Sequence, residues 1–165
     1  NAYIAYEQES PDMALACLMS LVDENASRGA SWTYDAEKTE DGFFEEAMQE
    51  YCYSFYALGT PAAYDAFLAL STRLTEAFPD NPGFMNNIGS YHMVARNDCK
   101  TACKYYNKVL KSDPSNYIAI KNGIVASRKI RNVKQEKKYL EMMVKHGPEK
   151  DRLQAQGRLK ALGAK

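Results

Sequence analysis

The chain has 165 residues, of which 45% are hydrophobic and 25% are charged, an ordinary composition for a globular protein with one core. It contains no run of roughly 18 apolar residues, as a membrane-spanning helix would need, and its four cysteines are too few for a disulfide scaffold. Residues 1–82 carry three basic and fifteen acidic side chains, a net charge of −12, whereas residues 83–165 carry eighteen basic and six acidic ones, a net charge of +12.

The first half of the chain contains three predicted helices and one irregular stretch. Residues 10–24 and 59–79 each place a hydroxyl side chain directly before a proline, which is a common way for a helix to begin. Residues 43–58, FFEEAMQEYCYSFYAL, also predict a helix. The stretch 27–42 lacks helical periodicity and closes on Asp-Gly, so we expect an irregular insert there.

The second half predicts five further helices separated by short turns. They span about residues 83–95, 99–112, 117–130, 134–146 and 149–162. No stretch of the chain shows the sustained alternation of apolar and polar residues that is typical of a strand, so the predicted class is all-α. Helices of this length joined by turns of about two to five residues form antiparallel hairpins.

Prolines indicate a repeat in this part of the chain. Pro79 and Pro114 are 35 residues apart, and Pro114 and Pro148 are 34 residues apart. Because the residue before a proline is disfavoured in the helical conformation, each of these prolines is expected to follow the end of a helix. One amphipathic hairpin cannot bury its apolar face alone, so a fixed period predicts stacked hairpins.

The residues around these prolines resemble the tetratricopeptide repeat, whose motif runs Trp-x2-Leu-Gly-x2-Tyr, then Ala-x3-Phe, then Pro. The segment 82–114 has one extra residue in its turn and matches the motif at Met85, Ile88, Gly89, His92, Ala102, Tyr106 and Pro114. The segment 117–148 matches it with the apolar residue and the glycine exchanged, as Gly123-Ile124, and with Glu136 at the place of the small alanine. Upstream of residue 79 the resemblance is weaker.

This resemblance implies a right-handed solenoid of about three to four antiparallel helical hairpins in a single domain over residues 1–165. The best repeats are 82–114 and 117–148, and residues 149–162 are expected to form a polar capping helix. Within the repeat, Gly89 is expected to let two helices approach closely, with Ala102 facing it from the second helix.

The resemblance also implies a binding site, because the first helices of successive hairpins line a concave groove that suits an extended peptide or a helix. The predicted groove residues are Asn86, Asn87, Ser90, Val94, Lys121, Asn122, Val125 and Arg128. We expect Asn87 and Asn122, 35 residues apart, to be exposed so that their amides can pair with a peptide backbone. Lys121 and Arg128 would attract a carboxylate to the same groove. The alternative interpretation is that these are plain solvated polar residues.

No catalytic or cofactor motif is evident in the sequence, and we interpret the chain as a non-enzyme without a metal or a cofactor. His92, Cys99 and Cys103 lie close together but lack the fourth ligand that a structural zinc needs. Nothing positions His146, the other histidine, beside a cysteine as a nucleophile pair. The sequence has no phosphate-binding glycine loop, no HExxH and no GxSxG.

Three functions remain compatible with the sequence. The first is a non-catalytic scaffold that binds a protein or peptide, including acidic ones, in the groove of the solenoid. The second is an assembly module in which the acidic half of one copy docks on the basic half of another, unless the two charges are only solvated helix faces. The third, which the sequence favours least, is nucleic-acid binding by the basic stretch SRKIRNVKQEKK, which lacks interleaved aromatic residues.

The sequence leaves the compartment open. The chain begins at Asn1 without an initiator methionine, so we expect a processed chain or a part of a longer protein. Its cysteines, Cys17, Cys52, Cys99 and Cys103, each lie in an apolar helical context, as free thiols do. They do not decide between the cytoplasm and a bacterial periplasm.

Overall fold

A computed structural model describes residues 10–28 and 43–163 of the chain, and every regular element among them is an α-helix. The helices are α1 (Pro11–Arg28), α2 (Phe43–Leu58), α3 (Pro61–Ala77), α4 (Pro82–Val94), α5 (Cys99–Ser112), α6 (Tyr117–Lys129), α7 (Val133–His146) and α8 (Glu149–Gly163). The predicted all-α class is therefore confirmed. Most of the predicted insert over 27–42 lies outside the described residues. In the part of the chain that the structure describes, no helix has the length and apolar character needed to span a membrane.

The contacts between residues divide the chain into two compact units, Asn1–Asn87 and Ile88–Lys165, and each is described by itself. The helix α4 contributes its residues up to Asn87 to the first unit and the remainder to the second. The single domain over 1–165 and the right-handed solenoid stay predictions.

In the first unit, α3 packs against both α1 and α2. Its buried side chains are Ala63, Ala66, Phe67, Leu70, Ser71 and Leu74. The helix begins after Thr60, whose hydroxyl oxygen accepts a hydrogen bond from the backbone N–H of Ala63 at 3.2 Å. It ends where the N–H of Phe78 donates to the carbonyl of Leu74 at 2.8 Å, directly before Pro79. The sequence predicts both boundaries, the start from the hydroxyl residue before Pro61 and the end from Pro79.

In the second unit, α5, α6, α7 and α8 pack one against the next in chain order. The buried apolar side chains of these helices are Cys99, Ala102, Cys103, Tyr106, Val109, Leu110, Ala119, Ile120, Ala126, Tyr139, Leu140, Met143 and Ala155. Asp98, Asn116 and Asn132 precede the first three helices, and each side-chain oxygen accepts a hydrogen bond from the backbone N–H three residues later, at 3.0 to 3.1 Å. These N-caps satisfy backbone donors that the first helical turn leaves free, so the polar residue before each helix fixes where it begins.

The backbone of the second unit repeats after 34 residues. Asn97 and Arg131 lie in turns with φ of 50° and 55°, in the left-handed region that non-glycine residues rarely adopt. Asp113 and Gly147 each donate the backbone N–H to the carbonyl four residues earlier, at 2.9 and 2.8 Å, and each stands directly before a proline. The same turn and the same helix end thus recur at one interval, which is the geometry of a helical repeat.

Close helix packing occurs at Gly89, as the sequence predicts. A Cβ atom placed on Gly89 would lie 2.6 Å from Cε1 of Tyr106, whose ring is fully buried. Ala102 is also fully buried, but the side chain nearest to the glycine is that of Tyr106. The glycine is therefore needed to admit an aromatic ring from α5, since any side chain there would occupy the space of the ring.

The last helix, α8, carries few apolar side chains. Ala155 is buried and Leu159 and Leu162 are half-buried, so these three apolar side chains lie on its less exposed side, and α8 packs against α7. Most of the remaining side chains of α8 are polar and exposed. A helix over these residues is confirmed, and its role as the cap of a solenoid stays a prediction.

Candidate binding surface

The predicted groove residues fall into both units. Asn86 and Asn87 belong to the first unit, whereas the other six belong to the second. The expectation that Asn87 is exposed is wrong, because only 4% of its surface is accessible, and Asn86 is equally buried. The two asparagines are therefore not free to bind a peptide backbone as they stand.

The amide of Asn87 is occupied inside the first unit. Its Nδ2 donates to Oε1 of Gln49 at 3.0 Å and to Oγ of Ser71 at 3.2 Å, and Nε2 of Gln49 donates back to Oδ1 of Asn87 at 2.9 Å. Gln49 lies on α2 and Ser71 on α3, so this polar group joins three helices. Asn87 is a structural residue in this arrangement, since a buried amide must find its partners within the protein.

The second part of α4 supplies two of the predicted residues. Ser90 is half-buried, and its Oγ lies 3.4 Å from the hydroxyl oxygen of Tyr106. Val94, one turn later, is exposed. Only Val94 is thus presented to solvent as the prediction requires.

The helix α6 has one side that is largely exposed, called the α6 face below. It consists of Ile118, Lys121, Asn122 and Val125, which are spaced by three, four and seven residues and so lie on one side of a helix. Ile118 is 44% exposed and Val125 is 41% exposed, so two large apolar side chains reach solvent on the same side of α6. Sequence reasoning missed Ile118, although its position seven residues before Val125 could have indicated it.

The polar residues of the α6 face are held in different ways. Nζ of Lys121 lies 5.7 Å from the centre of the Tyr117 ring, which is within the range of a cation–π contact. The hydroxyl of Tyr117 in turn donates to Oδ2 of Asp151 on α8 at 2.8 Å, and this hydrogen bond raises the pKa of the tyrosine. Asn122 is half-buried, and its side chain forms no hydrogen bond with any residue in the described ranges. Its amide therefore retains donors and an acceptor for a ligand.

Arg128 is already paired within the protein. Its Nε donates to Oε1 of Glu136 at 3.0 Å, although about half of the arginine side chain remains exposed. We expected Arg128 to attract a carboxylate of a partner. A carboxylate of the same chain already occupies one side of its guanidinium, so a carboxylate of a partner would have to compete with Glu136. Lys121 is left as the cation of the α6 face.

Glu136 is the buried centre of a charged cluster. Only 2% of its side chain is accessible, and it accepts hydrogen bonds from Nε of Arg128 and from Nε and Nη2 of Arg158, the last two at 2.8 and 3.3 Å. The hydrogen bonds from Arg158, followed by the one from Arg128, hold the pKa of Glu136 below its usual value, and burial opposes this shift. Because its three members lie on α6, α7 and α8, the cluster fixes the helix that carries the α6 face.

Cys99, Cys103 and His92, which lie close together in the sequence, pack against other side chains in the second unit. Cys99 and Cys103 are buried, and burial raises the pKa of Cys103, which disfavours the nucleophilic thiolate. His92 stacks on the ring of Tyr105 with the centroids 5.5 Å apart. No group of three or more histidine, cysteine or acidic side chains suited to hold a metal ion occurs within residues 10–28 and 43–163.

Comparisons with known proteins add no assignment. No protein-family model matches the chain, and no curated protein has a matching sequence. The resemblance to the tetratricopeptide repeat thus stays a hypothesis that rests on the motif residues quoted above.

Proposed function

We propose that this chain is a non-catalytic scaffold that binds a protein or peptide on the α6 face. The observation that carries the proposal is the combination, on one helix, of two exposed β-branched side chains with a cation and an unpaired amide. Ordinary surface positions of a helix favour polar residues, whereas binding surfaces combine apolar contacts with a few polar groups. If the chain is a tetratricopeptide-like solenoid, this face is also the one that lines the groove.

Each side chain has a distinct part in the proposed contact. Ile118 and Val125 lie two helical turns apart, about 10 Å along the axis, and can make apolar contacts with two side chains of a ligand. Asn122 lies between them and offers its amide to the ligand backbone, independently of the ligand sequence. Lys121 favours a carboxylate nearby, so acidic peptides are the preferred partners.

The support behind this face suits a binding role. Glu136 ties α6 to α7 and α8 through Arg128 and Arg158, and Tyr117 is tied to Asp151 of α8. A surface fixed before binding loses less conformational freedom when it captures a ligand. The helix is thus preorganised by polar contacts on its buried and terminal sides.

The test is capture of partners from a native extract by the immobilised chain, quantified against variants. The double variant Lys121→Glu/Val125→Asp reverses the charge and removes an apolar contact on the α6 face. Its matched control is Val133→Asp/Lys134→Glu, which makes the same exchanges at an exposed valine and lysine of α7. We expect partners to be retained by the wild type and the control and lost by the α6 variant; equal capture by all three would contradict the proposal.

A second candidate function is assembly driven by charge. The opposite net charges of residues 1–82 and 83–165 favour it, because a copy can present an acidic surface to the basic surface of another copy. This contact would be heterologous and would extend into chains unless its rotation closes a ring. Its dependence on salt distinguishes it from binding at the partly apolar α6 face.

A further inference from the structure

A groove between α5 and α7 is lined by lysines, and it is called the lysine groove below. Its lysines are Lys104, Lys108, Lys111 and Lys138, all of them exposed. The other residues that line it are Asn107, Leu110 and Met142, and the volume of the groove is about 490 Å³. It lies entirely within the second unit and shares no residue with the α6 face.

The groove continues along the two helices toward their first turns. A second depression of about 450 Å³ shares Lys104 and Asn107 with the first and reaches Lys100 on α5 and Gln135 on α7. Early residues of α5 thus neighbour early residues of α7, and late residues neighbour late ones, so the helices run in the same direction. The hydroxyl of Tyr139 fixes them together by donating to Oδ1 of Asn107 at 2.9 Å.

The positive charge of the groove is only partly compensated inside the second unit, where Nζ of Lys108 lies 5.1 Å from the centre of the Tyr105 ring and Lys104 attracts the carboxylate of Asp98. Within the described residues none of the four lysines forms an ion pair, and no acidic side chain lines the groove. Four of the six carboxylates of this unit are engaged elsewhere: Asp98 caps α5, Asp113 accepts from Ser115 and Asn116, Glu136 is held by two arginines, and Asp151 accepts from Tyr117. Like charges on neighbouring turns repel each other, so a bound anion would lower the free energy of this surface.

The spacing of the lysines and the floor of the groove indicate what kind of anion fits. Lys104 and Lys108 are one helical turn apart, which is about 6 Å and equals the separation of acidic side chains at every fourth residue of a helix. The floor includes Met142, a half-buried thioether that an apolar side chain can cover. The sugar-phosphate backbone, which is the part of a nucleic acid that the lysines would hold, has no apolar side chain beside its charges, so the floor favours a peptide over a nucleic acid.

We infer that the lysine groove is a second binding surface, and that its ligand is an amphipathic acidic helix of a partner protein. The four lysines form the rims of the groove. Carboxylates of the bound helix lie along these rims, and an apolar side chain of the same helix covers Met142. The two surfaces serve different parts of a partner or different partners, since the α6 face offers one cation and the lysine groove offers four. The charges on the rims steer association and favour acidic partners, and the apolar floor adds specificity for a peptide.

The test uses a labelled helical probe peptide with glutamate at every fourth position and leucine beside each glutamate, and it measures affinity by fluorescence anisotropy. Lys104→Glu/Lys108→Glu is expected to weaken binding of the probe at least about tenfold, because both rim charges are reversed. The neutral pair Lys104→Gln/Lys108→Gln is expected to weaken it less. The matched control Lys150→Glu/Lys160→Glu changes the net charge equally at two exposed lysines of α8 and should leave the affinity within about twofold. Circular dichroism of each variant checks that the helices are intact.

Two further arms decide between ligand classes. Met142→Gln should weaken the leucine-containing probe by about threefold or more and leave a single-stranded oligonucleotide of equal charge unaffected. An oligonucleotide that binds as tightly as the probe, with no effect of Met142→Gln on either, would overturn the inference in favour of nucleic acid. The inference would also be overturned if Lys104→Glu/Lys108→Glu and the α8 control weakened binding of the probe equally. The net positive charge of the unit, and not the groove, would then account for the binding. No binding of the probe to the wild type at low salt would exclude the groove as a peptide site.

Discussion

The ring of Tyr139 lies directly against Gly123, so that a Cβ on this glycine would be 2.5 Å from Cε1 of the ring. The ring cannot easily move away, because its hydroxyl donates to Oδ1 of Asn107 at 2.9 Å and accepts from Nε2 of Gln135 at 3.3 Å. Gly89 meets Tyr106 in the same way one hairpin earlier. Each glycine therefore sets the distance between the two helices of a hairpin.

This contact predicts opposite effects of one substitution at two glycines. Gly123→Ala should lower the free energy of unfolding by about 1–3 kcal/mol, because the new methyl group overpacks the ring of Tyr139. Gly157→Ala on the exposed side of α8 meets no atom within 4 Å and should raise the free energy of unfolding by about 0.5–1 kcal/mol, since alanine is the better helix former. Urea denaturation of the two variants measures both values. A Gly123→Ala protein as stable as Gly157→Ala would contradict the packing described for α6 and α7.

The two asparagines that the sequence suggested as a pair are predicted to differ in the same assay. Asn87→Ala should cost about 1–3 kcal/mol, because Gln49 and Ser71 lose a buried partner. Asn122→Ala should change stability by no more than about 0.5 kcal/mol, as at other surface positions. In a binding assay, Asn122→Ala should weaken capture of a partner at the α6 face. If Asn122→Ala destabilises the protein as much as Asn87→Ala does, Asn122 has a structural role instead.

The positions of the helices could be predicted from the sequence with good accuracy. Capping residues such as Asp98 and Asn132, and prolines after the last turn, are local signals that act within a few residues of a boundary. The predicted helix over 99–112 agrees with α5 at both ends, and the predicted helix over 134–146 begins one residue late. Local chemistry decides these boundaries, so no knowledge of the tertiary structure was needed.

The burial of Asn87 could not be predicted in this way. It depends on Gln49, which is 38 residues away and lies on a helix that the repeat motif does not define. The cluster around Glu136 has the same character, because Arg158 is 22 residues away. The sequence showed Glu136 as a departure from the motif, but only the packing of α8 explains how a buried carboxylate is tolerated at that position.

The Glu136 cluster predicts a specific dependence of stability on pH. Because the pKa of Glu136 is lowered in the folded state, its stabilising contribution is fully present above the ordinary pKa of about 4.5 and is lost as the pH falls through the lower folded value. Glu136→Gln should therefore cost about 1–3 kcal/mol near neutral pH, through the loss of charge-assisted hydrogen bonds. The difference from the wild type should shrink as the pH falls below about 4.5 and through the lower pKa of the folded state. Denaturation curves at several pH values measure the free energy of unfolding of both proteins. If the difference between them stays constant over this range, the stability that the cluster provides is not coupled to titration of Glu136.

The charge asymmetry predicts how self-association responds to salt. If the acidic surface of one copy docks on the basic surface of another, association should be strong at about 50 mM salt and weak at about 0.5 M, as the Debye length falls. Sedimentation velocity over a range of protein concentrations measures the change. If the chain stays monomeric under all these conditions, the acidic and basic surfaces do not bind each other, and their role would be to bind other proteins.

The central claim, that the α6 face is a binding surface, is tested most directly by site-specific photo-crosslinking. A benzoylphenylalanine placed at Val125 or Ile118 reports any protein that lies against the α6 face, and the same residue at Met13, an exposed apolar position of the first unit, serves as the control. We predict that both α6 positions yield the same discrete crosslinked partner in a native extract and that the control position does not. Crosslinks that arise equally from Met13, or none from either α6 position although a partner is captured, would contradict the claim.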